Sequence, residues 1–252
     1  MRPWLEKNKR FAIWSGPRNA STALMRSFGS RTDFEVIDEP FYASYLKETG
    51  IKHPMYKEIL NSQSFDPIVI SDLCKNGSMT KQYQYQKHMT HHILKDFDKN
   101  FIFSLSNVFL IRRPALVLNS YRKKHSDYQI EDLGFKQQFE LFEMVKYAVG
   151  VIPPVIDSED LTKNPSIFLR ILCDEMGIKF SESMLSWESG PKPYDGIWGS
   201  HWYKEINNSN KFRENLTNKE IPLSDFSAKE LEIIKEADIY YNEISEVKIT
   251  VN

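Results

Sequence analysis

Five short runs rich in β-branched and aromatic residues recur along this chain, and longer stretches with apolar residues at helical spacing lie between them. The runs are Arg10–Ser15 (RFAIWS), Phe34–Asp38 (FEVID), Gln82–Lys87 (QYQYQK), Asn107–Arg112 (NVFLIR) and Pro154–Asp157 (PVID). That alternation predicts an α/β fold, a parallel sheet flanked by helices. The third run alternates Tyr with Gln, which suits a half-buried or edge strand. Helices are expected over Ala20–Phe28, Pro114–Lys124, Phe135–Val149 and Leu231–Ile244, with another opening at Pro165 behind an Asn164 cap. Ser227 and Glu230 form a capping-box pattern before the last of the series.

With 252 residues, against about 150 per typical domain, a single domain over residues 1–252 is expected. Residues 177–220 stand apart. They hold Trp187, Trp198 and Trp202 among several Gly and Pro residues, and read as a long loop or lid with a functional role. The 33 basic and 34 acidic side chains leave a net charge of −1, so nothing asks for nucleic acid as an electrostatic partner. Only two cysteines occur, Cys74 and Cys173, which speaks against a disulfide scaffold and fits a reducing cytoplasm. No run approaches the length of a membrane span, and the N-terminus has no apolar signal core. A soluble, unanchored, cytoplasmic protein is expected.

In an open α/β sheet, ligands bind outside the carboxyl ends of the strands. The residues that follow the strands are therefore the informative ones. Gly16-Pro17-Arg18-Asn19-Ala20-Ser21-Thr22 follows the first, Glu39-Pro40 the second, Lys87-His88 closes the third, and Arg112-Arg113-Pro114 the fourth. The first of these is an anion cradle in outline: backbone N–H groups at a helix N-terminus, hydroxyls from Ser21 and Thr22, and a fixed charge on Arg18. The Gly-Lys-Ser/Thr ending of a Walker A loop is missing. Locally, an ordinary strand-to-helix turn capped by Asn19 or Ser21 would read the same way.

Pro17-Arg18-Asn19-Ala20-Ser21-Thr22 resembles the 5′-phosphosulfate loop of the sulfotransferase superfamily, with Arg18 in place of the usual Lys. Ile111–Tyr121 (IRRPALVLNSY) resembles that family's 3′-phosphate motif, with Arg112, Pro114 and Ser120 in the matching places. Val155–Pro165 resembles its acidic strand-to-helix segment. Pro191–Trp202 (PKPYDGIWGSHW) is similar to its late motif: Lys192, Gly196, Trp198 and His201 match, while Pro191 and Pro193 replace an Arg and a Gly. The four segments occur in the family's order. The resemblance implies a P-loop-type fold and a co-substrate, 3′-phosphoadenosine 5′-phosphosulfate (PAPS), whose sulfuryl group passes to a hydroxyl or amine of a small-molecule acceptor. Gly16–Thr22 would hold the 5′-phosphosulfate, and Arg112 and Ser120 the 3′-phosphate. Lys192 and Trp198 would close over the nucleotide.

Such a transfer needs positioning, charge stabilisation at the leaving oxygen, and a base. Arg18 is the candidate for the leaving group. Two bases stay open, Glu39 at the end of the second strand and His88 at the end of the third. In cytosolic family members a Lys-x-His supplies the base; Lys87 matches the Lys, but the His place is Met89, and a one-residue shift turns a strand side chain to the other face. No metal is expected: His88, His91 and His92 have helical spacing but no further ligand set. Tyr42, Tyr45 and Trp202 are candidates for the acceptor's walls. Two other readings remain. A P-loop small-molecule kinase would show Mg-dependent nucleotide consumption. A non-catalytic protein binding PAPS or its desulfo product PAP would bind nucleotide without turnover.

Overall fold

A computed structural model describes residues 9–213 and 221–251. Five strands, β1 (Arg10–Ser15), β2 (Phe34–Asp38), β3 (Tyr83–Met89), β4 (Ser106–Ile111) and β5 (Val155–Asp157), form one parallel sheet in the order β2-β3-β1-β4-β5. Helix α1 (Ser21–Gly29) links β1 to β2. Between β2 and β3 lie α2 (Tyr42–Thr49), α3 (Tyr56–Ser62) and α4 (Pro67–Asn76). Between β4 and β5 lie α5 (Pro114–Tyr121), α6 (Ile130–Leu133) and α7 (Phe135–Val149). After β5 come α8 (Ser158–Lys163), α9 (Pro165–Glu175), two short helices α10 (Gly199–Trp202) and α11 (Lys204–Asn207), and finally α12 (Ala228–Ser245).

Strands β1, β4 and β5 are largely apolar on both faces because both faces are covered. Phe11, Ile13, Tyr85, Val108 and Leu110 meet α1 and α9 on one side. Ala12, Trp14, Phe109 and Ile111 meet α7 and the Phe101–Ile102 turn on the other. The third strand departs from the sequence reading. It lies inside the sheet between β2 and β1, and Gln84 to Met89 are buried. Its glutamines tolerate this because their amides are paired. Gln86 Nε2 donates to the Cys74 carbonyl at 2.7 Å, and Gln84 Nε2 to Glu35 Oε1 at 2.7 Å. Buried polar atoms with partners carry little penalty.

Helix ends follow local chemistry with small departures. The helix after β4 stops at Tyr121, short of Lys124. Asn164 occupies the N-cap position of α9, but its side chain makes no capping hydrogen bond; Pro165 at the first position starts that helix. Residues 177–213 are largely irregular apart from the short helical pieces Glu182–Leu185, α10 and α11. Residues 214–220 of the expected lid lie outside the described residues.

The capping box on α12 is formed in both directions. Glu230 also accepts from Tyr128 OH at 2.8 Å and pairs with Arg122 at 3.3 Å, tying α12 to α5 and the loop after it. Burial works against the Glu230 charge, but hydrogen bonds from the Ser227 backbone, Tyr128, the Ser227 hydroxyl and Arg122 outweigh it, and its pKa falls to about 2. A carboxylate depressed in this way stabilises the fold above its ordinary pKa of 4.5, and the contribution is lost as pH falls towards 2. Glu230→Ala is expected to cost about 1–2 kcal/mol in urea unfolding at pH 7, with the difference from wild type shrinking as the pH is lowered through that window.

Candidate functional site

The turn after β1 carries unusual backbone. Arg18 (φ 61°) and Ala20 (φ 58°) are left-handed, as is Glu39 (φ 42°) after β2. Met55 is the remaining non-glycine with positive φ among the described residues. Each such residue costs on the order of 1 kcal/mol or more, and such strain gathers at ligand sites. Alternating left-handed residues turn successive N–H groups to one side, the geometry of an anion nest. Helix α1 begins there with no side-chain cap and no acidic residue in its first turn, so its N-terminal donors and positive dipole end stay open. Gly16 is required by close approach: a Cβ would lie 2.5 Å from the Leu133 carbonyl oxygen.

The exit from β4 meets this turn. Arg112 NH1 donates to the Arg18 carbonyl at 2.7 Å, and Arg18 Nε donates to Ser120 Oγ at 2.8 Å. Arg112 is buried, and among the described residues its Nε has no partner. Asn19 Nδ2 reaches the Leu110 carbonyl at 3.3 Å, while its buried Oδ1 is likewise unpartnered. Burial pulls the Arg112 pKa down from its ordinary value, and Glu159 opposes it. A guanidinium keeps its proton through such shifts.

These residues open onto one cleft of about 590 Å³. Arg18 to Ala23 form one wall; Arg112, Ser120 and Lys123 form another. The segment after α9 supplies the third, with Trp202, Tyr203, Lys211 and Arg213. Among the described residues five cations (Arg18, Arg112, Lys123, Lys211, Arg213) line it against one acid, Glu205. That acid is mostly exposed and lies 3.8 Å from Arg18. The two basic segments singled out in the sequence therefore face a common space. Gly16 and Pro17 stand behind it and do not line it.

A buried polar group adjoins the cleft through Tyr203. Lys87 Nζ reaches Asp38 Oδ1 at 3.1 Å, Glu39 Oε1, and Tyr203 OH at 2.7 Å. Tyr203 OH lies 2.9 and 2.8 Å from the two Asp38 oxygens. Burial raises the Glu39 pKa most; Lys87 opposes the rise, and Asp38 adds to it. A raised pKa makes a carboxylate a stronger proton acceptor once it is ionised. Lys87 is held protonated, since its two carboxylate neighbours outweigh its burial.

His88 is elsewhere. Adjacent strand residues point to opposite faces, so His88 faces away from Lys87. It stacks on Trp14 at 4.3 Å and bonds Gln86 Oε1 at 3.1 Å in the core. Burial takes its pKa down to about 3. It lies on the opposite face of β3 from Lys87, Glu39 and Tyr203, packed against Trp14 in the core, and the base candidacy of His88 is corrected on that ground. Lys192 and Trp198 also lie off the cleft lining. Trp198 is a core residue whose Nε1 donates to Tyr203 OH at 3.3 Å, and Lys192 Nζ is 3.8 Å from Glu188. After β3 the chain makes a short helical turn at Thr90–His92, which includes His91 and His92 but not His88. Among the described residues no group of three or more His, Cys, Asp or Glu is placed to hold a metal ion.

Tyr42, Tyr45 and Trp202 belong to an aromatic layer beside Glu39. Tyr42 and Tyr45 sandwich His92 at 4.6 and 4.8 Å, and His125 stacks on Trp202 at 5.5 Å. Sequence reading missed Asp38, Tyr203, Lys123, Lys211 and Arg213. The adjacent Asp38-Glu39 pair at a strand end was a visible signal for the first. The others carry none, because their place is set by a chain segment that folds back over the sheet's rim.

The sulfotransferase domain family model matches residues 9–246. This chain belongs to that family. Two solved structures share the fold of this sulfotransferase domain. The sulfotransferase domain of the Synechococcus PCC 7002 olefin synthase superposes with a TM-score of 0.59 at 17% identity, over 92% of this chain and 94% of that one. The sulfotransferase domain from the curacin biosynthetic pathway gives 0.55 at 14% identity, over 91% and 97%. In sequence, the sulfotransferase domain is 38% and 36% identical, over 200 residues, to two Arabidopsis thaliana proteins named branched-chain-amino-acid aminotransferase-like protein 1 and 2. The aligned part is 79% of this chain but 36% and 35% of theirs. The chain thus spans about a third of the length of these curated relatives. No helix among the described residues is long and apolar enough to cross a membrane.

Proposed function

We propose that this sulfotransferase domain moves the sulfuryl group of PAPS to a hydroxyl or amine of a small molecule. The observation that carries the reading is the shared cleft, where the turn after β1 and the exit from β4 meet and where, among the described residues, five cations and one acid give a net charge of +4. A phosphosulfate and a 3′-phosphate together carry about four negative charges. The unpartnered Arg112 Nε and the open donors of α1 fit such a ligand.

The backbone of Asn19–Thr22 binds the 5′-phosphate, and Arg112 and Ser120 bind the 3′-phosphate. Arg18 supports the charge that develops on the leaving group. The acceptor atom bonds to sulfur as the bond from sulfur to the bridging oxygen breaks. That electron pair stays on the nucleotide's 5′-phosphate, and the acceptor's proton passes to Glu39. Lys87 holds Glu39 in place, and Tyr42, Tyr45 and Trp202 shape the acceptor side.

The test is nucleotide binding followed by melting temperature. PAP at 100 times its Kd is expected to add about 2.7 kcal/mol by mass action, and Arg112→Ala to remove most of that shift. Adenosine 5′-phosphate, which lacks the 3′-phosphate, should bind much more weakly. Equal affinity for the two nucleotides would overturn the Arg112–Ser120 assignment.

A further inference from the structure

The hydrogen bonds around Lys87 close completely except at one atom. An ammonium has three donors, and those of Lys87 go to Asp38 Oδ1, Glu39 Oε1 and the Tyr203 oxygen. The Tyr203 oxygen also accepts from Trp198 Nε1. Its single O–H goes to Asp38, whose oxygens are at 2.9 and 2.8 Å, rather than to Glu39 Oε1 at 3.4 Å. Asp38 Oδ2 accepts in addition from the Gly196 backbone N–H at 3.1 Å. Both Asp38 oxygens are therefore occupied. No hydrogen bond among the described residues reaches Glu39 Oε2.

We propose that Tyr203 and Asp38 are positioning residues for Glu39: together they hold Lys87 between the two carboxylates, so that one Glu39 oxygen stays free to take the acceptor's proton. The inference rests on the reading of Glu39 as the base. Asp38 and Glu39 are chemically alike and adjacent, yet their surroundings give them different work. Asp38 is the saturated anchor, and Glu39 is the open one. Tyr203 also lines the nucleotide cleft, so the base and the donor site share this ring as a wall.

The groups facing Glu39 come from four elements: Asp38 on β2, Lys87 on β3, Tyr203 after α10, and Tyr42 on α2. Beyond them, Tyr85 and Tyr194 face Asp38, and the Arg26 guanidinium lies 5.9 Å from the Tyr203 ring. Within this set Asp38 raises the Glu39 pKa, while Lys87 and Tyr203 lower it. Removing the Tyr203 hydroxyl takes a donor from Asp38 and pulls Lys87 towards it, which makes Glu39 harder to ionise. Neutralising Asp38 removes a like charge and leaves Lys87 to Glu39, which makes Glu39 easier to ionise.

The experiment compares Tyr203→Phe and Asp38→Asn with wild type. Each is expected to lower kcat/KM for sulfuryl transfer about tenfold or more, while both keep the rise in melting temperature on PAP binding. The acid limb of the pH profile should move to higher pH in Tyr203→Phe and to lower pH in Asp38→Asn. A merely structural lesion would not displace the two limbs in opposite directions. The Glu39 side-chain carboxyl is titrated in parallel by carbon-detected NMR, which needs no turnover, and should show the same opposed displacements. Limbs and titrations that stay put, or move together, overturn the inference. Opposed titrations with no sulfuryl transfer in any protein, wild type included, would leave the positioning intact and sink the functional reading instead. If Tyr203→Phe fails to fold, the direction of the Asp38→Asn titration alone decides: a displacement to higher pH, or none, is fatal.

Discussion

Glu39→Gln is expected to slow sulfuryl transfer by a factor of about 10² to 10⁴, the usual contribution of a positioned base. Glutamine keeps the volume and still accepts from Lys87, but it cannot take a proton. The loss should fall on kcat and leave nucleotide binding alone, since Glu39 does not line the cleft that holds the cations. The melting temperature should stay level or rise. Two carboxylates share one ammonium in this buried group, so ionising Glu39 adds an excess negative charge that the variant cannot carry. That ionisation runs against the desolvation that raises the Glu39 pKa, and sites tuned for chemistry commonly sacrifice stability in this way. Initial rates with labelled PAPS, together with thermal melts with and without PAP, check both halves. A variant that keeps its rate would show that another group takes the proton, while one that loses PAP binding would show that Glu39 organises the cleft.

The fold was legible in the chain because a parallel sheet buried on both faces writes its strands as apolar runs. All five are present, and four read plainly. The fifth, β3, is written in Tyr and Gln, and its burial depends on partners such as the Cys74 carbonyl and Glu35 that no local pattern shows. The anion turn was legible for a different reason. A tight turn leading into a helix that opens with hydroxyls is a local solution to a local problem, although the backbone approach that requires Gly16 comes from the distant Leu133. The parity of a strand was legible as well, since Lys87 and His88 cannot face the same side, and the stacking of His88 on Trp14 follows from that alternation. The electrostatics of the carboxylate pair was not legible. Tyr203 lies 165 residues from Asp38 in the chain, and its placement depends on how residues 177–213 fold back over the rim. Lys211 and Arg213 enter the cleft by the same route.

What pins that segment is Arg26, and Asp195→Ala is expected to be the most destabilising of these substitutions. Arg26 is completely buried on α1, the helix that begins at the anion turn. Its guanidinium forms a two-pronged pair with Asp195, with NH2 to Oδ2 at 2.7 Å, and NH2 reaches Asn207 Oδ1 at 3.1 Å. The rings of Tyr194 and Tyr203 lie 5.5 and 5.9 Å from it. Burial opposes the Arg26 charge, but the hydrogen bond and charge of Asp195 outweigh it and raise the pKa. Truncating Asp195 leaves a buried cation with no counter-charge, a lesion of about 3–5 kcal/mol, or on the order of 10 °C in melting temperature for a chain of this size. It also unhooks the Lys192 backbone N–H, which donates to Asp195 Oδ2 at 2.8 Å, so Tyr203 loses its fixed place over Lys87. The rate should therefore fall even at temperatures where the variant remains folded. The double variant Arg26→Leu with Asp195→Leu should recover more than half of the lost stability, because replacing a buried pair by apolar groups is often close to neutral. It should not recover the rate, because the apolar contact has no directional hold on the segment. A cost for Asp195→Ala below about 1 kcal/mol would mean that the pair behaves like an exposed salt bridge, and Arg26 would then not be what holds Tyr203 in place.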